Sequence, residues 1–214
     1  MEVESKYVTE VYEEIAKDFN RTRFCIWRFV GEFLNVKSSE MLGLDIGCGN
    51  GKNILCNPEL NIVGVDSCKP LVKICQNKGI NVKLQDCCNL KFPTNHFDYA
   101  MSIAVFHHLA SDLRRRHALK EMIRVIKPGG QGVFSVWSYE NQTGQNKMKI
   151  RMFSKGDELI PWVRRQDKKT FMRYYYIYDR ALLDDYLTGF TSLISIDNIF
   201  NEFGNWIVIF TVLP

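Results

Sequence analysis

No stretch of the chain holds the roughly 18 to 20 consecutive apolar residues that a membrane-crossing helix needs. The opening residues Met1–Lys6 are acidic and are not a basic leader ahead of an apolar core, so an intracellular, cytoplasmic protein without a membrane association is expected. Cysteine pairs of the Cys-x-x-Cys kind are missing too. The seven cysteines, at 25, 48, 56, 68, 75, 87 and 88, are odd in number, which points away from a disulfide framework or a zinc knuckle and towards reduced thiols. Internal repeats and low-complexity segments are also absent.

What is present is the composition of one globular domain, with 214 residues, 46% hydrophobic and 24% charged. The net charge of +4 is small but uneven. Between Lys147 and Arg173 nine basic residues face three acids, an excess of six that exceeds the charge of the whole chain. Such a run suits contacts to phosphates, although a solvated loop would read the same way.

The most informative stretch is Met41 to Gly51, an apolar run ending in Asp45 and followed by Gly47, Cys48, Gly49 and Gly51. It reads as a buried strand leading into a loop whose backbone can approach a ligand closely. The third glycine comes one residue too early for a dinucleotide fingerprint. The pattern Asp-x-Gly-x-Gly-x-Gly instead resembles motif I of the Rossmann-like S-adenosylmethionine methyltransferases, which implies that cofactor.

Around this loop the spacing predicts two helices between Tyr7 and Leu34, joined at Arg21–Phe24, a joint that reads equally well as a solvent-facing turn. Strands are predicted at Asn61–Val65, Val82–Gln85, Phe97–Ile103 and Gln131–Trp137. Helices are predicted at Lys69–Lys78 and at Ser111–Ile126, the latter with Leu113 inward and Arg114–Arg116 outward. Five strand–helix alternations predict a doubly wound parallel sheet, and two further strands near Thr191–Ile196 and Trp206–Val212 predict a terminal hairpin. Asp66, about twenty residues past the glycines, suits a ribose ligand or a helix N-cap. Asp86, with Cys87 beside it, is placed where a carboxylate can meet an adenine amine. His107 and His108 follow the fourth strand; no third ligand is apparent, so a metal is not expected and His107 is read as facing substrate.

Several motifs are more particular: Tyr12–Ala16, Phe19–Trp27, Asp45–Lys52, Asn57-Pro58, Ser102–Leu109, Val136-Trp137, Pro161–Val163 and Arg173–Tyr178. Together they resemble the eukaryotic tRNA wobble-uridine methyltransferases that esterify 5-carboxymethyluridine. The resemblance implies an α/β, Rossmann-like class I methyltransferase with a seven-stranded mixed sheet, a C-terminal antiparallel hairpin and N-terminal helices. Residues 1–214 would form one domain, with 1–40 as a helical cap and 138–178 as a basic substrate-binding insertion. The donor would meet Asp45, Gly47, Cys48, Gly49, Asp66, Asp86, Cys87 and Ser102. Arg23 or Arg173 would pin the acceptor carboxylate, His107 and Trp137 would shape the nucleobase pocket, and Trp162, Tyr174 and Tyr175 would contact the tRNA anticodon loop. Relatives of this kind also work with a small zinc-binding activator subunit, here expected on the edge strand Val82 to Asp86, which implies poor solubility when the chain is expressed alone. Cys25, Ile26 and Tyr176 stand where the family usually has lysine, proline and histidine. A small-molecule methyltransferase and a non-catalytic RNA-binding subunit are the alternatives.

Overall fold

The computed structural model describes residues 2–140 and 153–214. Lys147, Lys149 and Arg151 of the basic run, and with them much of the expected insertion, lie outside the described residues.

A short helix α1 (Glu2–Glu4) passes through a π-helical turn (Ser5–Thr9) into α2 (Glu10–Thr22). Val11, Ile15 and Ala16 of α2 recur at helical spacing and are buried. The chain leaves the helix at Arg23 and re-enters one at α3 (Arg28–Asn35). Then follow β1 (Leu42–Ile46), α4 (Lys52–Leu55), β2 (Asn61–Asp66), α5 (Lys69–Asn77), β3 (Val82–Leu84) and β4 (Phe97–Ile103). After a 3-10 turn at Phe106–His108 come α6 (Asp112–Val125), β5 (Ile126–Trp137), β6 (Gly156–Val163), β7 (Thr170–Ile177), α7 (Arg180–Thr188), β8 (Ile194–Glu202) and β9 (Asn205–Val212).

Seven strands form one sheet in the order β3-β2-β1-β4-β5-β9-β8. The first five pair in parallel, and β9 pairs antiparallel with both β5 and β8. This is the mixed sheet with a terminal hairpin that the sequence predicts. The strand order reverses between β1 and β4, so a crevice opens beyond their carboxyl ends, where doubly wound folds bind ligands. Alternation along the strands feeds two cores. Leu44, Ala100, Phe134 and Phe210 pack on one side with α6 and α7, while Tyr99, Met101, Val133 and Ile207 pack on the other with α3 and α5.

Three expectations need correction. β5 begins at Ile126 and not at Gln131, so Lys127-Pro-Gly-Gly130, beyond the end of α6, forms its extended first part, accommodated by a register shift opposite Phe97 and Tyr99. In α6, Leu113 is 66% exposed and Arg115 is buried. Arg115 can go inward because its Nη1 donates to the Leu109 carbonyl at 2.9 Å and its guanidinium lies 3.7 Å from the Tyr176 ring centre. The basic segment, which shows no periodicity, contains the β6–β7 hairpin, a separate two-stranded sheet.

Phe134 is fully buried among Phe106, Tyr186 and Phe210. Phe134→Ala should lower unfolding free energy by about 3–5 kcal/mol, read as a lower urea midpoint with unchanged slope.

Candidate active site

At the carboxyl end of β1 the amides of Gly47 and Cys48 both donate to the Val65 carbonyl, at 2.8 and 3.0 Å, binding the loop to the end of β2. Gly47 has φ +71°, and a Cβ there would lie 2.3 Å from Val105 Cγ2, so only glycine lets the two halves of the crevice approach this closely. Asp66 sits directly beneath. Its Oδ2 accepts from the Gly49 amide and its Oδ1 from the Cys68 amide, each at 2.8 Å. These two bonds oppose the burial that pushes its pKa upward, and each oxygen keeps a lone pair for a hydroxyl. Asp45 is fully buried; Oδ1 has no partner and Oδ2 receives only a 3.4 Å bond from Asn53. Burial raises its pKa to about 7.

The other residues predicted to meet the donor are placed differently. The Cys48 side chain is buried and packs against β2, within contact of Gly64. Ser102 is buried and donates to the Ile46 carbonyl at 3.2 Å, bracing β4 against β1. Asp86 Oδ2 is paired with Arg114 at 2.8 Å and Oδ1 accepts from the Cys88 amide at 2.8 Å, so the carboxylate expected to reach an adenine amine is engaged within the protein. Asp86, Cys87 and Cys88 bring three possible ligand atoms within 4.8 Å of one another, but the Arg114 guanidinium opposes a cation there.

On the opposite side of the crevice, β4 ends in a strained turn. Ala104 has φ +60°, held by its amide donating to the Ser135 carbonyl and hydroxyl at 3.1 and 3.0 Å. The turn delivers the histidine pair onto β7. His108 Nδ1 lies 2.8 Å from the Tyr174 carbonyl, which can only accept, so Nδ1 carries the proton and Nε2 accepts from the Tyr12 hydroxyl at 2.9 Å. His107 Nδ1 accepts from the Trp137 amide at 3.1 Å, leaving its proton on Nε2. Burial above all, with Arg173 nearby, holds both imidazoles neutral: His107 well below its ordinary value and His108 at about 3.

The pleat of β7 separates the tyrosines. Arg173 and Tyr175 share the face towards the histidines, with the guanidinium 5.2 Å from the Tyr175 ring centre and that ring stacked on Trp137 at 4.1 Å and on His107 at 5.0 Å. Tyr174 and Tyr176 point the other way, Tyr174 to the Asp157 carboxylate and Tyr176 over Arg115. Two expectations therefore change. His107, at 1% exposure, is a buried wall and not a substrate-facing side chain. Tyr174 and Tyr175 are buried and cannot stack on splayed bases as they stand. Trp162 packs on Phe171 and on α2. The Tyr176 departure falls on the far face from Arg173.

Arg173 is 6% exposed, no carboxylate among the described residues pairs with it, and its Nε has no hydrogen-bond partner. Arg23 is exposed at the end of α2, near enough to the Tyr175 hydroxyl to influence it electrostatically. Tyr12, absent from the predicted site, links the halves: it touches His108 on one side and, edge-on, Phe19 on the other, and Phe19 lies beneath Gly49. A hydroxyl on the apolar stripe of α2 was the available signal.

A glycine loop over the switch point, a buried carboxyl with an orphaned oxygen and a second carboxyl with spare acceptor capacity suit a cationic donor carrying a ribose. Together with the fold they define a methyltransferase domain of the S-adenosylmethionine-dependent class. The general methyltransferase-domain family matches residues 44–134. The chain is 38% identical over 169 residues to the tRNA (carboxymethyluridine(34)-5-O)-methyltransferase of Schizosaccharomyces pombe, a match covering 78% of this chain and 72% of that one. It is 45% identical over 141 residues to the enzyme of that name from Arabidopsis thaliana, covering 66% of this chain and only 35% of the plant protein. The chain belongs to this tRNA methyltransferase family. Among solved structures, a Haloferax volcanii methyltransferase in complex with the Trm112 methyltransferase activator superposes with a TM-score of 0.68 at 12% identity, over 98% of this chain and 99% of that one. A Methanosarcina mazei S-adenosylmethionine-dependent methyltransferase gives 0.66 at 18%, over 88% and 98%. Among the described residues no helix is long and apolar enough to cross a membrane.

Because the folded-state pKa of Asp45 lies above the ordinary carboxylate value, the native state without donor holds a proton that the unfolded chain has released. Asp45 should therefore contribute a component of stability that falls as pH rises from about 4 to about 7, against the rising contribution of the neutral His107 and His108, so Asp45→Asn should make stability rise more steeply with pH in denaturation curves recorded across the range.

Proposed function

We propose that this chain methylates the carboxylate of 5-carboxymethyluridine at the wobble position of tRNA, forming the methyl ester. The observation that carries the reading is Arg173, a buried guanidinium with no acidic partner among the described residues. An uncompensated buried charge is costly, and an acceptor carboxylate in bidentate contact would offset it. S-adenosylmethionine, when bound, supplies an electrophilic methyl group. Asp45, Asp66 and the backbone of Gly47–Gly49 hold the donor. Since a carboxylate is ionised at neutral pH, with a reference pKa near 4, the acceptor needs no general base. The neutral, doubly hydrogen-bonded His108 and the buried His107 accordingly frame the site and move no proton. Arg173 and Arg23 hold the acceptor in line, and Trp137 forms one wall of the base pocket. The β6–β7 hairpin acts as the substrate-binding insertion.

The edge strand β3 takes the small zinc-binding activator subunit. It pairs only with β2, and Leu84 on it is 53% exposed, an edge suited to strand addition. The complex named for the Haloferax volcanii neighbour supports the choice of partner class. All seven cysteines are free, which suits the cytoplasm.

Mass spectrometry of wobble nucleosides, after incubating chain and activator with carboxymethylated tRNA, should show the ester. Arg173→Ala should cut turnover by on the order of 10²-fold with donor affinity by calorimetry unchanged; unaltered methylation would remove Arg173 from its role. Leu84→Glu should abolish copurification with the activator while the circular dichroism spectrum stays native.

A further inference from the structure

The run between Lys147 and Arg173 looks in sequence like the surface that meets RNA, yet much of its described part is already paired. Arg164 and Lys169 both reach Glu14, Arg164 also approaches Asp167, Lys155 is bonded to Asp179, and Arg173 is buried. Cations elsewhere behave likewise, as with Arg21 and Asp18, Arg114 and Asp86, and Arg124 and Glu121.

Among the cations that do not, three stand together. Arg23, Lys52 and Lys78 line one cavity of about 540 Å³ beside the glycine loop, which has no carboxylate among its lining residues. None of the three makes an ion pair among the described residues. The lysines bond neutral acceptors: Lys52 Nζ the Cys25 carbonyl at 2.9 Å, and Lys78 Nζ the Asn20 side-chain oxygen and the Asn50 carbonyl at 2.8 Å each. An ammonium has three donors, so both keep capacity for an anion. Burial, and then the neighbouring Arg23, draw the Lys52 pKa below its usual value, against the opposing pull of Asp45. Phe24, 77% exposed, also lines the cavity and offers an aromatic face. Arg23 connects the two regions, since it lines the cavity and lies over the Phe19 ring, which packs edge-on against Tyr12 beside His108.

We propose that this cavity is a phosphate-binding groove that takes the sugar–phosphate backbone of the RNA next to the modified nucleotide, with Lys52 and Lys78 as phosphate contacts and Phe24 as a stacking platform. The inference rests on the RNA-modifying reading above and adds where the strand runs. Arg23 would then serve at the boundary between backbone and acceptor base.

The test measures binding of an anticodon stem-loop RNA to the full chain with its activator, over a range of salt concentrations. The double variant Lys52→Gln/Lys78→Gln should weaken binding at least tenfold at low salt. It should also reduce the slope of log affinity against log salt by about 0.7–0.9 for each lost contact, with S-adenosylmethionine affinity retained. Leu55→Lys, which adds a cation at a half-exposed lining position, should strengthen binding and steepen the slope. If wild type binds and methylates the RNA but neither variant shifts affinity or slope, the groove is wrong and the reaction stands. If wild type neither binds nor methylates carboxymethylated tRNA, both fall. Should the double variant lose donor affinity because Lys78 braces the loop at Asn50, Leu55→Lys decides: an unchanged slope there overturns the proposal.

Discussion

The structure depends on the close approach of two strand ends. Gly47 and Cys48 hang from the Val65 carbonyl, and Gly47 faces Val105 at a distance no Cβ would allow. This contact sets how wide the crevice between β1 and β4 can be. Everything bearing on chemistry is hung from its two sides: Asp45, Gly49 and Asp66 from one, and Ala104, His107 and His108 from the other. The loop takes left-handed backbone at its glycines without strain, whereas the opposite turn does so at Ala104, where a Cβ makes it costly. Strain of this kind persists only where surrounding bonds over-determine it. Here the Ser135 carbonyl and hydroxyl do so.

Charge is distributed with similar economy. Ten described cations, Arg114, Arg124 and Arg164 among them, have acids within bonding distance, while among the described residues Arg23, Lys52, Lys78 and Arg173 around the crevice form no ion pair. Burial raises the Asp45 pKa to about 7 and keeps the two histidines unprotonated at neutrality. The immediate surroundings of Arg173 thus contain aromatic rings and neutral imidazoles, a low-polarity setting in which its interaction with an anion is strengthened. Desolvation raises the cost of the bare cation and the attraction of its counter-charge together.

The strands, their parallel order and the glycine loop were legible because period-two burial and a motif with several glycines are local signals. Leu113 and Arg115 were not. The α6 pattern cannot show that Leu109 and Tyr176 provide a carbonyl and a ring face for a guanidinium, which reverses the usual preference at those two positions. The same blindness read His107 as facing substrate and grouped Tyr174 with Tyr175. A histidine is buried when its nitrogens find partners, and those of the pair here lie at Trp137, Tyr174 and Tyr12, far along the chain. Asp86 and Ser102 were read by position at their strand ends, whereas Arg114 and the Ile46 carbonyl had already claimed their polar atoms.

By itself, then, the sequence determined the doubly wound class, the donor loop and the family, since these follow from backbone constraints and patterns that act over a few residues. Which side chains remain free to meet an acceptor was decided only by the tertiary structure. Availability depends on whether a polar group has been desolvated and paired by residues distant in the chain, as with Tyr175 and His107, or desolvated with no acidic partner among the described residues, as with Arg173.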